Sequence, residues 1–106
     1  MSDNELITRT VDEIKQICSP LNIILVSHKV NTDGDLTSFK LVVTVKDEDT
    51  ETLSELECRL YMQIDCDIPF DLVLYRESEW NKFKCDIGSF AWKIHNTGAY
   101  IYGENI

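Results

Sequence analysis

Within residues 68–102, the most informative stretch of the chain, the hydrophobic pattern passes from strand to helix, to a second helix and back to strand. The unit opens with Pro69-Phe-Asp-Leu-Val-Leu-Tyr75, apolar except for Asp71. A carboxylate in an apolar strand loses hydration unless a partner or a task holds it there. The chain continues Arg76-Glu-Ser-Glu-Trp80, then Asp86-Ile-Gly-Ser-Phe-Ala-Trp-Lys-Ile-His95, and closes with Thr97-Gly-Ala-Tyr-Ile-Tyr102. Short helices are predicted over residues 78–83 and 87–96, with Ser78 as N-cap and Gly98 as the C-terminal stop. A last edge strand follows over residues 99–102, with Tyr100 and Tyr102 at alternate positions.

Upstream, Ile7, Val11, Ile14 and Cys18 recur at helical spacing, so a helix is predicted over Asp3–Cys18, ended by Ser19-Pro20. The continuous apolar centre of Asn22–Val30 predicts an interior strand. Phe39, Leu41, Val43 and Val45 alternate with Lys40, Val42 and Thr44 in a strand over residues 37–45, antiparallel to the first across a short polar turn. Asp49 or Thr50 is expected to cap a helix reaching Ile64, whose stripe of Leu53, Leu56, Leu60 and Ile64 is core. Trp80, Phe83, Phe90 and Trp92 are read as glue between the short helices and the sheet rather than as a base-stacking platform. The expectation is one α+β domain over residues 1–106, a small mixed sheet with helices packed largely on one side.

At 106 residues with 43% hydrophobic content, the chain can bury a core without staples. No apolar run approaches the roughly 20 residues that span a bilayer, and the polar start Met-Ser-Asp-Asn-Glu is unlike a signal peptide. A cytoplasmic protein that does not engage membranes is expected. Cys18, Cys58, Cys66 and Cys85 form no C-x-x-C pair, so free thiols are expected in place of a zinc knuckle, a redox motif or a disulfide framework. His28 and His95 are too few and too distant to suggest a metal centre. The net charge of −9 argues against direct nucleic-acid binding, which uses basic patches. Acid concentrates at Asp47, Glu48, Asp49, Glu51, Glu55 and Glu57, with no Lys or Arg among residues 47–57. Two readings follow: a solvated helix start favoured by the helix dipole, or an acidic docking surface for a basic partner.

The order and spacing of residues 68–102 resemble the C-terminal part of minimal nucleotidyltransferase domains of the polymerase-beta superfamily. In that family a strand bearing the third catalytic aspartate leads to a Ser/Glu-rich helix start, a short helix and a final Gly-x-x-Leu/Ile-Tyr strand. The resemblance implies a nucleotidyltransferase-like fold and gives Asp71 the third carboxylate position. It also implies a Gly-Ser turn after the first strand, where this chain has Ser27-His28, and an Asp-x-Asp pair on the second, where it has Ser38 and Lys40. Alternate strand residues share a face, so an Asp-x-Asp pair and a carboxylate on the neighbouring strand converge on one spot. Such a triad holds the magnesium ions that polarise a nucleoside triphosphate. Here Ser27, His28, Ser38, Lys40 and Asp71 form a vestigial set, with a lysine standing where the metal would be.

Asp33-Gly-Asp35-Leu36 offers a second alignment, in which Asp33, Asp35 and Asp71 bind magnesium and an NTP such as ATP. The composition of residues 31–35 is that of a turn. What the resemblance implies first is a catalytically degenerate protein that works through protein contacts. Its expected partner is a HEPN-type helical protein, toward which it acts as an antitoxin, or a second copy of itself. The alternatives are an active magnesium-dependent enzyme moving NMP from an NTP to a hydroxyl, and an acidic inhibitor of a nucleic-acid-binding protein.

Overall fold

The computed structural model describes residues 3–48 and 50–103. Its elements are α1 (Asp3–Cys18), β1 (Asn22–Val30), β2 (Leu36–Val45), α2 (Leu53–Gln63), β3 (Phe70–Arg76), α3 (Glu77–Phe83), α4 (Phe90–Thr97) and β4 (Ala99–Tyr102). The class is α+β, as expected from the sequence. The four strands form one mixed sheet in the order β3-β2-β1-β4. β1 is antiparallel to both β2 and β4, while β2 and β3 run parallel across the α2 crossover. That placement explains the apolar centre of β1: with a strand on either side, Ile23 and Ile24 are fully buried on opposite faces.

The helices do not lie largely on one side. α1 and α2 cover the first face, where Ile7, Val11, Ile14, Leu56 and Leu60 meet Ile23, Phe39, Leu41, Val43, Val45 and Leu72. α3 and α4 cover the second, where Trp80, Ala91 and Ile94 meet Ile24 and Val42. Two-sided burial is written in Leu41-Val42-Val43, an unbroken apolar run with neighbours on alternate faces; a one-sided sheet would need polar residues at every second position.

The turn between β1 and β2 is built by Asn31, whose Oδ1 accepts from the N–H groups of Asp33 (3.0 Å) and Asp35 (2.9 Å). Gly34 supplies the positive φ of 86° that closes it.

Helix starts differ from expectation by a few residues, each for a local reason. α2 is capped by Thr52 rather than Thr50, because Glu55 stands three residues on and completes a capping box; Asp49 lies outside the described residues. α3 begins at Glu77, and Ser78 is not its cap. The Ser78 N–H and hydroxyl both donate to Asp47 Oδ1, each at 3.1 Å, so a distant carboxylate serves the helix N-terminus. α4 starts at Phe90 instead of residue 87: Gly88, at φ 92°, is in a turn, and Ser89 Oγ accepts from Trp92 N–H (3.0 Å).

Gly98 stops α4 as expected, but through close packing and not a left-handed φ. A Cβ there would sit 2.6 Å from Ile24 Cγ2 and 2.8 Å from the Ile94 carbonyl oxygen.

Candidate functional site

On the second face, three adjacent strands align Ser27, Lys40 and Asp71 in one cross-strand row: Lys40 is paired with Ser27 on β1 and with Asp71 on β3. A register shift between Leu25 and Ser27 makes this possible, since the extra residue Val26 turns Ser27 to the same side as Lys40. Ser38, two residues before Lys40, shares its face and pairs with Lys29. The structure thus brings Ser27, Ser38, Lys40 and Asp71 together. His28 is separated from them: it pairs with Phe39, whose side chain belongs to the first face.

Lys40 is half-buried, and its ammonium lies over the Phe90 ring at 5.3 Å from the centroid. That cation–π contact fastens the start of α4 above the row. Asp71 is exposed, on the outer strand of the sheet. Its place in an apolar strand therefore needs no buried partner. The edge itself is partly closed from α2, where the Tyr61 hydroxyl accepts from the Leu72 N–H at 2.7 Å. Burial raises the Tyr61 phenol above its ordinary pKa, the Leu72 contact opposes this, and the nearby Asp71 charge adds to the rise.

Asp33 and Asp35 sit in the β1–β2 turn, beyond the end of this row. Asp35 precedes Lys40 by five residues, about 16 Å along the strand, so these two carboxylates and Asp71 do not form one constellation. Among the described residues no group of three or more His, Cys, Asp or Glu side chains is placed to share a cation. At the row itself the donors are one carboxylate and two hydroxyls around an ammonium. That set does not fit a pair of magnesium ions, which need several anionic oxygens and no fixed cation among them.

The sequence reading missed a network on the same face. The Tyr100 hydroxyl lies 2.9 Å from His95 Nδ1, and the Trp80 indole packs against the rings of both His95 and Tyr75. Burial raises the phenols of Tyr75 and Tyr100, while a hydrogen bond from Trp80 lowers that of Tyr100 in part. Trp80 and Phe83 act as the expected glue; Phe90 instead roofs Lys40. The five-residue interval between His95 and Tyr100 gave no periodic signal, because a helix end and a tight turn separate them.

Half of the acidic stretch is engaged within the fold. Asp47 serves α3, Glu55 completes the α2 capping box, and Glu51 accepts two bonds from Arg59, Nε to Oε2 at 3.0 Å and Nη2 to Oε1 at 2.8 Å. The Arg59 guanidinium holds the Glu51 carboxyl below the ordinary carboxylate range. Arg76 binds the same loop through the carbonyl oxygens of Lys46 and Glu51. Glu48 and Glu57 remain exposed. All four cysteines are free thiols, Cys58 and Cys85 exposed and Cys18 and Cys66 half-buried.

No described helix is long and apolar enough to cross a membrane. In comparisons with known proteins, no family model, no curated protein and no solved structure matches the chain.

Proposed function

We propose that the chain is a catalytically degenerate nucleotidyltransferase-like protein that acts by contact with another protein. The observation that carries this reading is the row Ser27–Lys40–Asp71. On the resemblance of residues 68–102 to minimal nucleotidyltransferases, Ser38 and Lys40 hold the positions of the Asp-x-Asp pair, and β3 sets Asp71 directly beside Lys40. The topology supports that alignment, because a pair at 38 and 40 and a carboxylate at 71 would converge on one face. An ammonium in the middle of the row repels the cations that the reaction requires, so no catalytic step is assigned to the chain.

The contact surface lies along β4, an outer strand four residues long on which Ile101 and Tyr102 are exposed. An outer strand with apolar side chains partly open to solvent is a template for another chain. The partner is a HEPN-type helical protein, with this chain as antitoxin, or a second copy of the chain. A purely electrostatic docking role is less well supported, since Asp47, Glu51 and Glu55 already serve partners inside the fold.

The test is titration of the purified protein with ATP and GTP, with and without magnesium, read by calorimetry and thermal shift. No metal-dependent binding is expected. Binding that needs magnesium and disappears in Asp71→Asn would overturn the proposal in favour of an active NMP-transferring enzyme. A complementary variant, Ser38→Asp with Lys40→Asp, should acquire millimolar or tighter magnesium affinity, seen as NMR shift changes at Asp71; no gain would show that the assumed register of the family motif is wrong.

A further inference from the structure

At the other end of the second face, four residues along β2 from Lys40 and so about 13 Å away, a cavity of about 450 Å³ opens between α3 and the sheet. Its volume is within the range of about 300–1,000 Å³ typical of small-molecule sites. The back wall is the cross-strand pair Asn22 and Thr44, exposed by only 8% and 1%. Both carry an orphan: Asn22 Oδ1 and Thr44 Oγ1 are buried and have no hydrogen-bond partner among the described residues. A buried polar atom without a partner is costly, and two on adjacent strands lining one cavity call for a shared occupant. α3 contributes Glu77, Trp80 and Asn81 from one side. Gly103, at φ 80°, closes the opposite wall; a Cβ would come within 2.3 Å of the Leu21 carbonyl oxygen, so only glycine lets the chain lie this close.

We propose that this cavity binds a small uncharged molecule rich in hydroxyl groups, of the size and chemistry of a monosaccharide or cyclic polyol. Asn22 Oδ1 needs a donor, and Thr44 Oγ1 can both donate and accept; a ligand hydroxyl does either. The Asn81 amide and the Glu77 carboxylate extend the same chemistry toward the mouth, while Leu21 and Trp80 offer apolar surface to a ring's C–H groups. A charged group at the back wall would find no counter-charge, and the mouth carries one residue of each sign, Glu77 and Lys84. An apolar ligand would leave both orphans unpaired.

The experiment is NMR titration of the isotopically labelled full chain with D-ribose, D-glucose and myo-inositol. At least one should give saturable shift changes at Asn22, Thr44, Asn81 and Gly103, with Lys40 and Asp71 unmoved. Thr44→Val should weaken that binding roughly tenfold, yet leave the Tm of the free protein unchanged or higher, because the hydroxyl it removes has no partner among the described residues. Asn81→Ala, on the exposed side of α3, supplies a second variant whose folding is not at issue and should also weaken binding. Three results would overturn the proposal. One is silence from all three compounds together with water contacts at Asn22 and Thr44, meaning ordered water only. Another is contacts from these two side chains to residues 104–106 in the free protein, meaning that the chain fills its own cavity. The third is unchanged affinity in both variants.

Discussion

The two faces of the sheet are built from the same strands but to different standards. Against α1 and α2 the contacts are mainly aliphatic, from Ile14, Leu41, Val43 and Leu60, all fully buried, with the stacked rings of Phe39 and Phe70 among them and Cys18, Tyr61 and Cys66 at the margin. Against α3 and α4 the buried apolar cluster is smaller, Ile24, Val42, Trp80, Ala91 and Ile94, with the polar Asn22 and Thr44 buried on the same face and Lys40, Tyr75, His95 and Tyr100 around them. An apolar interface needs only complementary shape, whereas each polar group must find a partner or a ligand. The first face therefore holds the chain together, and the second is where both the Ser27–Lys40–Asp71 row and the Asn22–Thr44 cavity are found.

The sharpest way to break this contrast is to remove one large side chain from each face. Leu60→Ala should cost about 2–5 kcal/mol and Trp80→Ala about 3–5 kcal/mol, from urea unfolding. The more informative quantity is coincidence between probes. Trp80 and Trp92 lie on α3 and α4, so their fluorescence reports the second face, while far-UV circular dichroism reports the whole. Because Leu41, Val42 and Val43 serve both faces from one strand, the two signals should stay superimposed in Leu60→Ala as a single cooperative transition. A fluorescence midpoint left at its wild-type value while the dichroism midpoint falls would show that the faces unfold separately.

Gly98→Ala probes the joint between α4 and the sheet. The added methyl meets Ile24 Cγ2 on the buried side chain and the Ile94 carbonyl on the helix backbone, neither of which can retreat freely. Overpacking of this kind costs about 1–3 kcal/mol, and the near-UV signals of Trp80 and Tyr100 should change with it. Full stability in Gly98→Ala would mean that the second face is loose enough to absorb a methyl group.

Most of this architecture was legible because periodicity reports burial. The Asp3–Cys18 helix and the Asn22–Val30 strand have the expected bounds, and the alternation Phe39, Leu41, Val43, Val45 marked the first face correctly. What escaped was information carried by pairs distant in sequence. Nothing local says that Asp47 rather than Ser78 serves the N-terminus of α3, that Asn22 and Thr44 share a cavity wall, or that a bulge at Val26 swings Ser27 into line with Lys40. The two short helices were expected, but their placement opposite α1 and α2 was missed for a related reason: on that face Val42 stands between Lys40 and Thr44, and Val73 next to Asp71, so that side of the sheet looked only half apolar. The row of Ser27, Ser38, Lys40 and Asp71 could be anticipated only through the family resemblance, which aligned strands whose pairing the sequence does not state.

The smallest expected effect separates the faces by pH. On the rim of the first, Arg59 depresses the Glu51 carboxyl, so its contribution to stability is present above the ordinary glutamate value of 4.5 and is lost as pH falls through the depressed folded value. On the second, burial raises Tyr75 and Tyr100, so their contribution is complete below about pH 10 and is lost as pH climbs through the raised folded values. Tyr61 is raised as well, but two of the three shifted phenols belong to the second face. A Tm profile against pH should therefore fall at both ends for different structural reasons. Glu51→Gln should flatten the acid limb and leave the alkaline one alone; Tyr100→Phe should reduce the alkaline limb and leave the acid one alone. The Glu51 pair is exposed to solvent and salt, so its effect should also shrink at high ionic strength, whereas the tyrosine effect, which comes from burial, should not. If both limbs respond to both substitutions, the two faces share one electrostatic environment and the division drawn between them is wrong.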